Sequence, residues 1–317
     1  MSETTDWLSR LLEMVPVSGH VDFRCYLGAP WRVEFDAAAS GEIAYHVVMD
    51  GSVVLETAGG ASRRLVAGDV VLLPGGAAHF LHDGGGAAPG PARYRETTAV
   101  TVSENDGAGE RLDMVCGRFV LSPAHERLLR GYLPDQLVVG AAGLDAATAR
   151  PGTGAQLSGL VSLMRLESAA EDLGARAMLK ALSTAMFALT LRLASEAAEP
   201  PVGLLALAGQ PRLAPALAAL FNEPQKPWSL PELARLCNMS RATFVRRFQE
   251  KMGRSASDML TEIRMTLAAN QLARSHASTG AIAESVGYRS EAAFQRAFRQ
   301  QMGVTPALWR RRAQSEA

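Results

Sequence analysis

Arginine and glutamine are the side chains best suited to reading a DNA base edge: the guanidinium fork pairs bidentately with guanine, and the glutamine amide pairs with adenine. The C-terminal part of this chain places them twice in one frame. The run ATFVRRFQEKMG, from Ala242 to Gly253, recurs loosely as AAFQRAFRQQMG, from Ala292 to Gly303. Phe244 and Phe248 match Phe294 and Phe298, Arg246 matches Arg296, and Ser240 and Ser290 stand at equivalent places upstream. One structural unit is used twice.

The spacing predicts what that unit is. A serine able to cap free backbone N–H groups, a phenylalanine pair at i, i+4 and a closing glycine describe a capped helix of about three turns. At about 100° per residue, the face away from the phenylalanines carries Ala242, Arg246 and Gln249, with Val245 beside them. In the second copy it carries Ala292, Arg296 and Arg299, with Gln295 beside them and Glu291 at the start. Arg241 stands ready for a phosphate. Ahead of each helix lies a shorter one, Leu230 to Cys237 and Thr279 to Val286, joined to it by a turn holding Asn238 or Gly287. Both residue types tolerate left-handed backbone, and small Ala234 and Ala283 let the paired helices approach closely. Helix, tight turn and a second helix with Arg and Gln on its outer face is the pattern of a helix-turn-helix. The blander alternative is a helical bundle with duplicated packing.

These runs carry a resemblance to a family. The region from about Arg212 to Arg312 resembles the DNA-binding domain of AraC/XylS-type bacterial transcriptional regulators, in which a long helix connects two helix-turn-helix units. The similar stretches are SLPELARLCNMSRATFVRRFQEKMG and IAESVGYRSEAAFQRAFRQQMGVTPALWRR; GVTP, Trp309 and Arg310 are similar to the family's closing signature. The resemblance covers about a third of the chain. It implies double-stranded DNA as a partner and, if the protein is an activator, RNA polymerase as another.

Charge agrees with that division. The chain has 32 Lys/Arg and 32 Asp/Glu, but residues 210–317 hold 16 and 8 of them, net +8, against −8 for residues 1–209. The basic part is the part with the candidate recognition helices, as phosphate binding requires. Its length of 317 residues with 48% apolar content predicts more than one ordinary packed core. Met1 to Met14 is polar and acidic, and no apolar stretch of about 18 residues stands out, so neither a secretory leader nor a membrane span is expected and the cytoplasm is.

Between Val21 and Leu121 the pattern changes to short β-like runs punctuated by Gly, Pro and Asp: Val21–Leu27, Trp31–Phe35, Ile43–Met49, Ser52–Thr57, Asp69–Leu73, Ala78–His82, Tyr94–Val102 and Met114–Leu121. Many strands without intervening helices predict an antiparallel barrel or jelly roll. The segment GDVVLLPGGAAH, Gly68 to His79, resembles the second signature of the cupin barrel, whose histidine is a metal ligand in metal-dependent members. The first signature is degenerate, because Gly41 to Gly60 offers only His46 and Glu56 without a paired His-x-His. His46, His79 and His82 are either remnants lining the barrel mouth or ordinary polar residues at strand ends. No metal site, cofactor or catalytic residue is expected; the rival reading is a metal-dependent cupin enzyme fused to a DNA-binding module.

The thiols point elsewhere. Cys25, in VDFRCYLGAPW, and Cys116, in VCGRF, sit in contexts similar to an AraC/XylS subgroup in which some members sense reactive chlorine or related oxidants through thiols at these places. Arg24 beside Cys25 and Arg118 near Cys116 would lower the thiol pKa and raise the reactive thiolate fraction. The alternative is that both are small buried apolar residues, as unpaired cysteines usually are, and Cys237 is expected to pack inside the first helix-turn-helix. After Leu137-Val138-Val139 and a Gly/Ala-rich loop, two helical patterns follow. In the second, Leu179, Leu182, Met186, Leu189 and Leu193 make a heptad seam that serves either internal packing or a homodimer. The expected architecture is α+β and multidomain. Residues 1–135 form a cupin-like sensor for a small effector or oxidant, 136–209 a helical linker and dimerisation region, and 210–317 an all-α domain with two helix-turn-helix units.

Overall fold

The computed structural model of the protein describes residues 6–140 and 152–315. Their contacts separate them into two compact units. One comprises Val17–Leu121 and Leu133–Pro201; the other comprises the stretch ending at Pro16, Ser122–Tyr132 and the stretch beginning at Val202. The boundaries expected at residues 135 and 209 do not coincide with these. Helix α1 (Trp7–Met14) and helix α2 (Pro123–Tyr132) both pack with the C-terminal helices. The Gly/Ala-rich loop expected before residue 153 falls largely outside the described residues.

The first unit is built on two sheets. Strands β1 (Val17–Gly28), β3 (Glu42–Asp50), β6 (Val70–Leu73), β8 (Arg93–Glu96), β9 (Thr101–Glu104), β10 (Arg111–Leu121) and β11 (Leu137–Val139) form one, in the order β11-β6-β3-β10-β1-β9-β8. Strands β2 (Arg32–Phe35), β4 (Ser52–Thr57), β5 (Ser62–Val66) and β7 (His79–His82) form the other, in the order β2-β7-β4-β5. Their inner faces enclose a core that includes Leu27, Val48 and Met114 from the larger sheet and Val53, Leu65 and Leu81 from the smaller. The larger sheet is buried on its outer face as well, by helices α3 (Thr153–Ala169) and α4 (Ala175–Glu196). Strand β10 therefore reads as a nearly continuous apolar run instead of an alternating one.

Two details of that outer face depend on glycine. A Cβ at Gly19 would collide with Ser183 of α4, and one at Gly117 would collide with the His20 carbonyl and the Tyr45 ring. The space so kept lets the Tyr45 hydroxyl donate to the His20 carbonyl at 3.0 Å and lie 2.8 Å from the Ser183 hydroxyl. Phe119 stacks on Tyr45 at 4.6 Å and meets Phe187 of α4 at 4.9 Å. Helix α4 thus meets β1, β3 and β10 at these points.

Three expectations need correction here. Tyr94–Val102 is two strands, β8 and β9, because Thr97 takes hydrogen bonds from the Ala99 and Val100 amides and turns the chain. The α4 seam is mostly spent inside the unit: Leu179, Met186 and Leu193 are buried, and only Leu182 and Leu189 remain half-buried. Finally, α4 is long and apolar enough by length and composition to cross a membrane, although no such stretch was expected. Its apolar residues cover the sheet.

The second unit is helical. After α5 (Leu204–Ala208) and α6 (Ala214–Asn222), helices α7 (Leu230–Leu236) and α8 (Arg241–Met252) form one pair, and α10 (Thr279–Ser285) and α11 (Glu291–Met302) form another. The nineteen-residue α9 (Ala256–Arg274) runs between the pairs, and α12 (Pro306–Ser315) closes the chain. Local sequence explains where α7 to α11 begin. Ser229, Ser240, Ser255, Ser278 and Ser290 accept N–H bonds as N-caps. Asn238 at φ 51° and Gly287 at φ 88° make the two tight turns by entering the left-handed region. Trp309 on α12 donates its indole N–H to the Ala269 carbonyl of α9 at 3.2 Å.

Candidate nucleic-acid interface and barrel cavity

Helices α8 and α11 turn their phenylalanine pairs inward. Phe244 and Phe248 have ring centroids 5.5 Å apart, Phe294 and Phe298 5.6 Å, and all four are buried. That burial fixes the rotation of each helix about its axis. Arg241, Ala242, Arg246 and Gln249 are exposed, with Val245 half-buried; Glu291, Ala292, Gln295, Arg296 and Arg299 are all exposed.

The two faces differ in how their polar groups are engaged. On α8 the Arg246 guanidinium donates to the Glu250 carboxylate at 2.9 Å, one turn away. On α11 the Gln295 amide donates to the Glu291 carboxylate at 2.9 Å, while no ion pair holds Arg296 or Arg299 among the described residues. An exposed i, i+4 pair stabilises by only about 0.3–0.5 kcal/mol, so Glu250 competes for Arg246 without locking it. Sequence reasoning missed two supports. Arg264 of α9 donates to the Pro224 and Lys226 carbonyls at 2.6 and 2.9 Å, and the Lys226 ammonium sits 3.8 Å over the Trp228 ring. Together they fix the segment leading into α7. Asn270, also missed, shows in the sequence only as an amide next to Gln271 in α9, with no local pattern to mark it.

In the first unit, a cavity of about 490 Å³ opens beside the inner face of the barrel and is lined in part by Phe35, His46, His79, Cys116 and Arg118. Cys116 lies directly opposite His46 across the β3/β10 ladder. Both thiols are buried in one core cluster, at diagonal positions of the neighbouring strands β1 and β10. Burial, and after it the neighbouring Cys25, pushes the Cys116 thiol well above its ordinary pKa. The expected activation by neighbouring arginines is therefore corrected. Arg24 lies on the other face of β1, where it pairs with Asp113 at 2.6 and 2.7 Å and donates to the Arg165 carbonyl and the Ser168 hydroxyl of α3. Arg118 is taken by Asp22 at 2.6 Å and Glu42 at 3.1 Å. Cys237 is buried at the C-cap of α7, where it was expected.

The histidines divide. His46 and His79 meet Nε2 to Nε2 at 2.8 Å, whereas His82 lies away from the cavity, accepting the Gly84 N–H at 3.0 Å with Nε2 3.7 Å from Glu56. His79 Nδ1 faces the Ala77 carbonyl at 3.2 Å and must carry the proton there, so His79 Nε2 accepts and His46 Nε2 donates. Burial lowers the pKa of both rings, and His79 adds to the effect on His46. The nitrogens that would face a metal are spent on each other, and among the described residues no group of three or more His, Cys, Asp or Glu is placed to hold one. The donor set does not fit the cupin metal.

A cupin model matches residues 6–196. The chain belongs to the cupin family. A helix-turn-helix domain model matches residues 233–312, and the protein is an AraC-type transcriptional regulator with a cupin N-terminal domain. Among its relatives, an HTH-type transcriptional regulator of Haemophilus influenzae is 29% identical over 96% of this chain and 98% of its own. The RCS-specific HTH-type transcriptional activator RclR of Escherichia coli is 28% identical over 98% and 99%. The HTH-type transcriptional regulator MtrA of Neisseria gonorrhoeae is 29% identical over 96% and 98%.

Proposed function

We propose that this regulator responds to an oxidant through Cys25 and Cys116 and reads DNA mainly with α11. The observation that carries the sensor reading is that two buried thiols share one core cluster at diagonal positions of neighbouring strands. Hypochlorous acid supplies a balanced reaction: one sulfur takes chlorine and hydroxide leaves, then the second sulfur attacks the first and chloride leaves. The sum converts two thiols and HOCl to a disulfide, water and HCl. Likeness to an activator named RCS-specific supports that oxidant class. Burial keeps Cys116 protonated, which favours a fast, strong oxidant over a mild one.

In the DNA-binding unit, Arg296 and Arg299 pair with guanine, Gln295 with adenine, and Glu291 accepts from cytosine; Arg246 and Gln249 are the polar readers of α8, and Ala242, Val245 and Ala292 offer apolar contact. Arg241 meets phosphate. The two recognition helices occupy major-groove segments about one helical turn, ~34 Å, apart. The protein works in the cytoplasm as a homodimer, through an outer face on α3 and α4 where Leu163, Leu166 and Met178 are exposed beside Leu182 and Leu189. It engages RNA polymerase when it activates, and it is not an enzyme. The barrel cavity beside His46 and His79 is the place for a small effector.

The test uses Cys25→Ser and Cys116→Ser in a reporter strain treated with hypochlorite. Each substitution is expected to abolish the oxidant response while leaving expression and untreated DNA binding intact. An unchanged response in both variants contradicts the thiol reading.

A further inference from the structure

We propose that Asn270 is the positioning residue that couples the β1/β10 ribbon to the DNA-reading helices, by holding α1 and α2 on α9 with the two ends of one amide. Its Nδ2 donates to the Met14 carbonyl at the end of α1, 2.7 Å away. Its Oδ1 accepts from His125 Nε2 of α2 at 2.6 Å. A carbonyl only accepts, so Met14 fixes which way the amide faces and thereby which ring nitrogen of His125 carries the proton. His125 is buried, and Leu8, Leu11, Leu128, Leu129 and Tyr132 of α1 and α2 are buried in the same helical unit.

What makes this more than a packing detail is where the two helices come from. Val15 and Pro16 alone separate α1 from β1, and Ser122 alone separates β10 from α2. Val17 and Leu121 are register partners at the end of the same ribbon that carries Cys25 and Cys116 further along. In that ribbon Cys25 faces Met114 and Cys116 faces Phe23, so the two cysteines are diagonal neighbours. Diagonal positions are about 7–8 Å apart, beyond the usual Cα separation of a disulfide, so bridging them shifts the strands. Connectors of one and two residues have little slack to absorb a shift, and both lead to the helices that Asn270 holds. Next to it, the Ala269 carbonyl takes the indole N–H of Trp309, tying the same turn of α9 to the second helix-turn-helix.

The input side of this coupling rests on the thiol reading; the docking side does not. The experiment uses the full chain, hypochlorite as the oxidant, and an operator selected from random-sequence DNA by the wild type. In Asn270→Ala, amides of residues 7–15 and 123–132 should exchange at least tenfold faster, with β1 and β10 unchanged. Cys25 and Cys116 should still lose their free thiols on oxidation, but the accompanying change in operator affinity should fall to less than twofold. Asn270→Asp keeps the acceptor for His125 and loses the donor to Met14, so it should release residues 7–15 alone. His125→Gln keeps a donor at the same place and should behave as wild type. Unchanged protection of both segments in Asn270→Ala, or a full oxidant response with both segments released, overturns the proposal. If the wild type ignores hypochlorite, the thiol reading falls and the exchange data alone decide whether Asn270 holds the two helices.

Discussion

Helices α8 and α11 are the same device with different loads. Both are capped by serine, closed by a left-handed glycine and rotated by a buried phenylalanine pair. Both present an arginine two residues after the first phenylalanine, Arg246 and Arg296. On α8 that arginine is paired with Glu250, which competes for it, and its neighbours Ala242 and Val245 have no hydrogen-bonding side chain. On α11 it is free of ion pairs among the described residues and flanked by Gln295, Glu291 and Arg299. Packing conserves the scaffold between the two copies, while the exposed face is at liberty to diverge.

Three substitutions bear on that contrast, the larger effects first. Phe248→Ala and Phe298→Ala each empty a buried ring site and should destabilise the protein by about 3–5 kcal/mol in denaturant titrations, by similar amounts if the two scaffolds are equivalent. A cost that is large in one copy and negligible in the other would break the equivalence. Glu250→Gln should release Arg246 and raise affinity for DNA about twofold at low salt, an effect worth up to ~0.5 kcal/mol. No gain would mean that Glu250 does not compete for the guanidinium.

Much of the helical unit was legible because its signals are local. A cap, an i, i+4 pair and a turn residue act within about twelve positions, and they placed α7, α8, α10 and α11 to within a residue or two. Strand β5 was missed because its pattern, SRRLV, has a single inward apolar residue, Leu65, on an exposed edge. Helix α2 was missed because its partners are distant in sequence: His125 meets Asn270 across 145 positions. The cysteines were found, but their environment was misjudged for a geometric reason. Adjacent residues on a strand point to opposite faces, so Arg24 next to Cys25 in sequence is across the sheet from it in space. The diagonal placement of Cys25 and Cys116 in one core cluster and the contact between His46 and His79 arise from register and from the facing of two sheets, which no local pattern encodes.

The most direct test of the unequal readers is a paired measurement of operator and non-specific DNA affinity for Arg246→Ala and Arg296→Ala. Arg296→Ala should lower the preference for the operator by about 1–3 kcal/mol, and Arg246→Ala by less than half as much. Equal losses of preference in the two variants, or a loss in Arg296→Ala that falls alike on operator and non-specific DNA, would contradict the account.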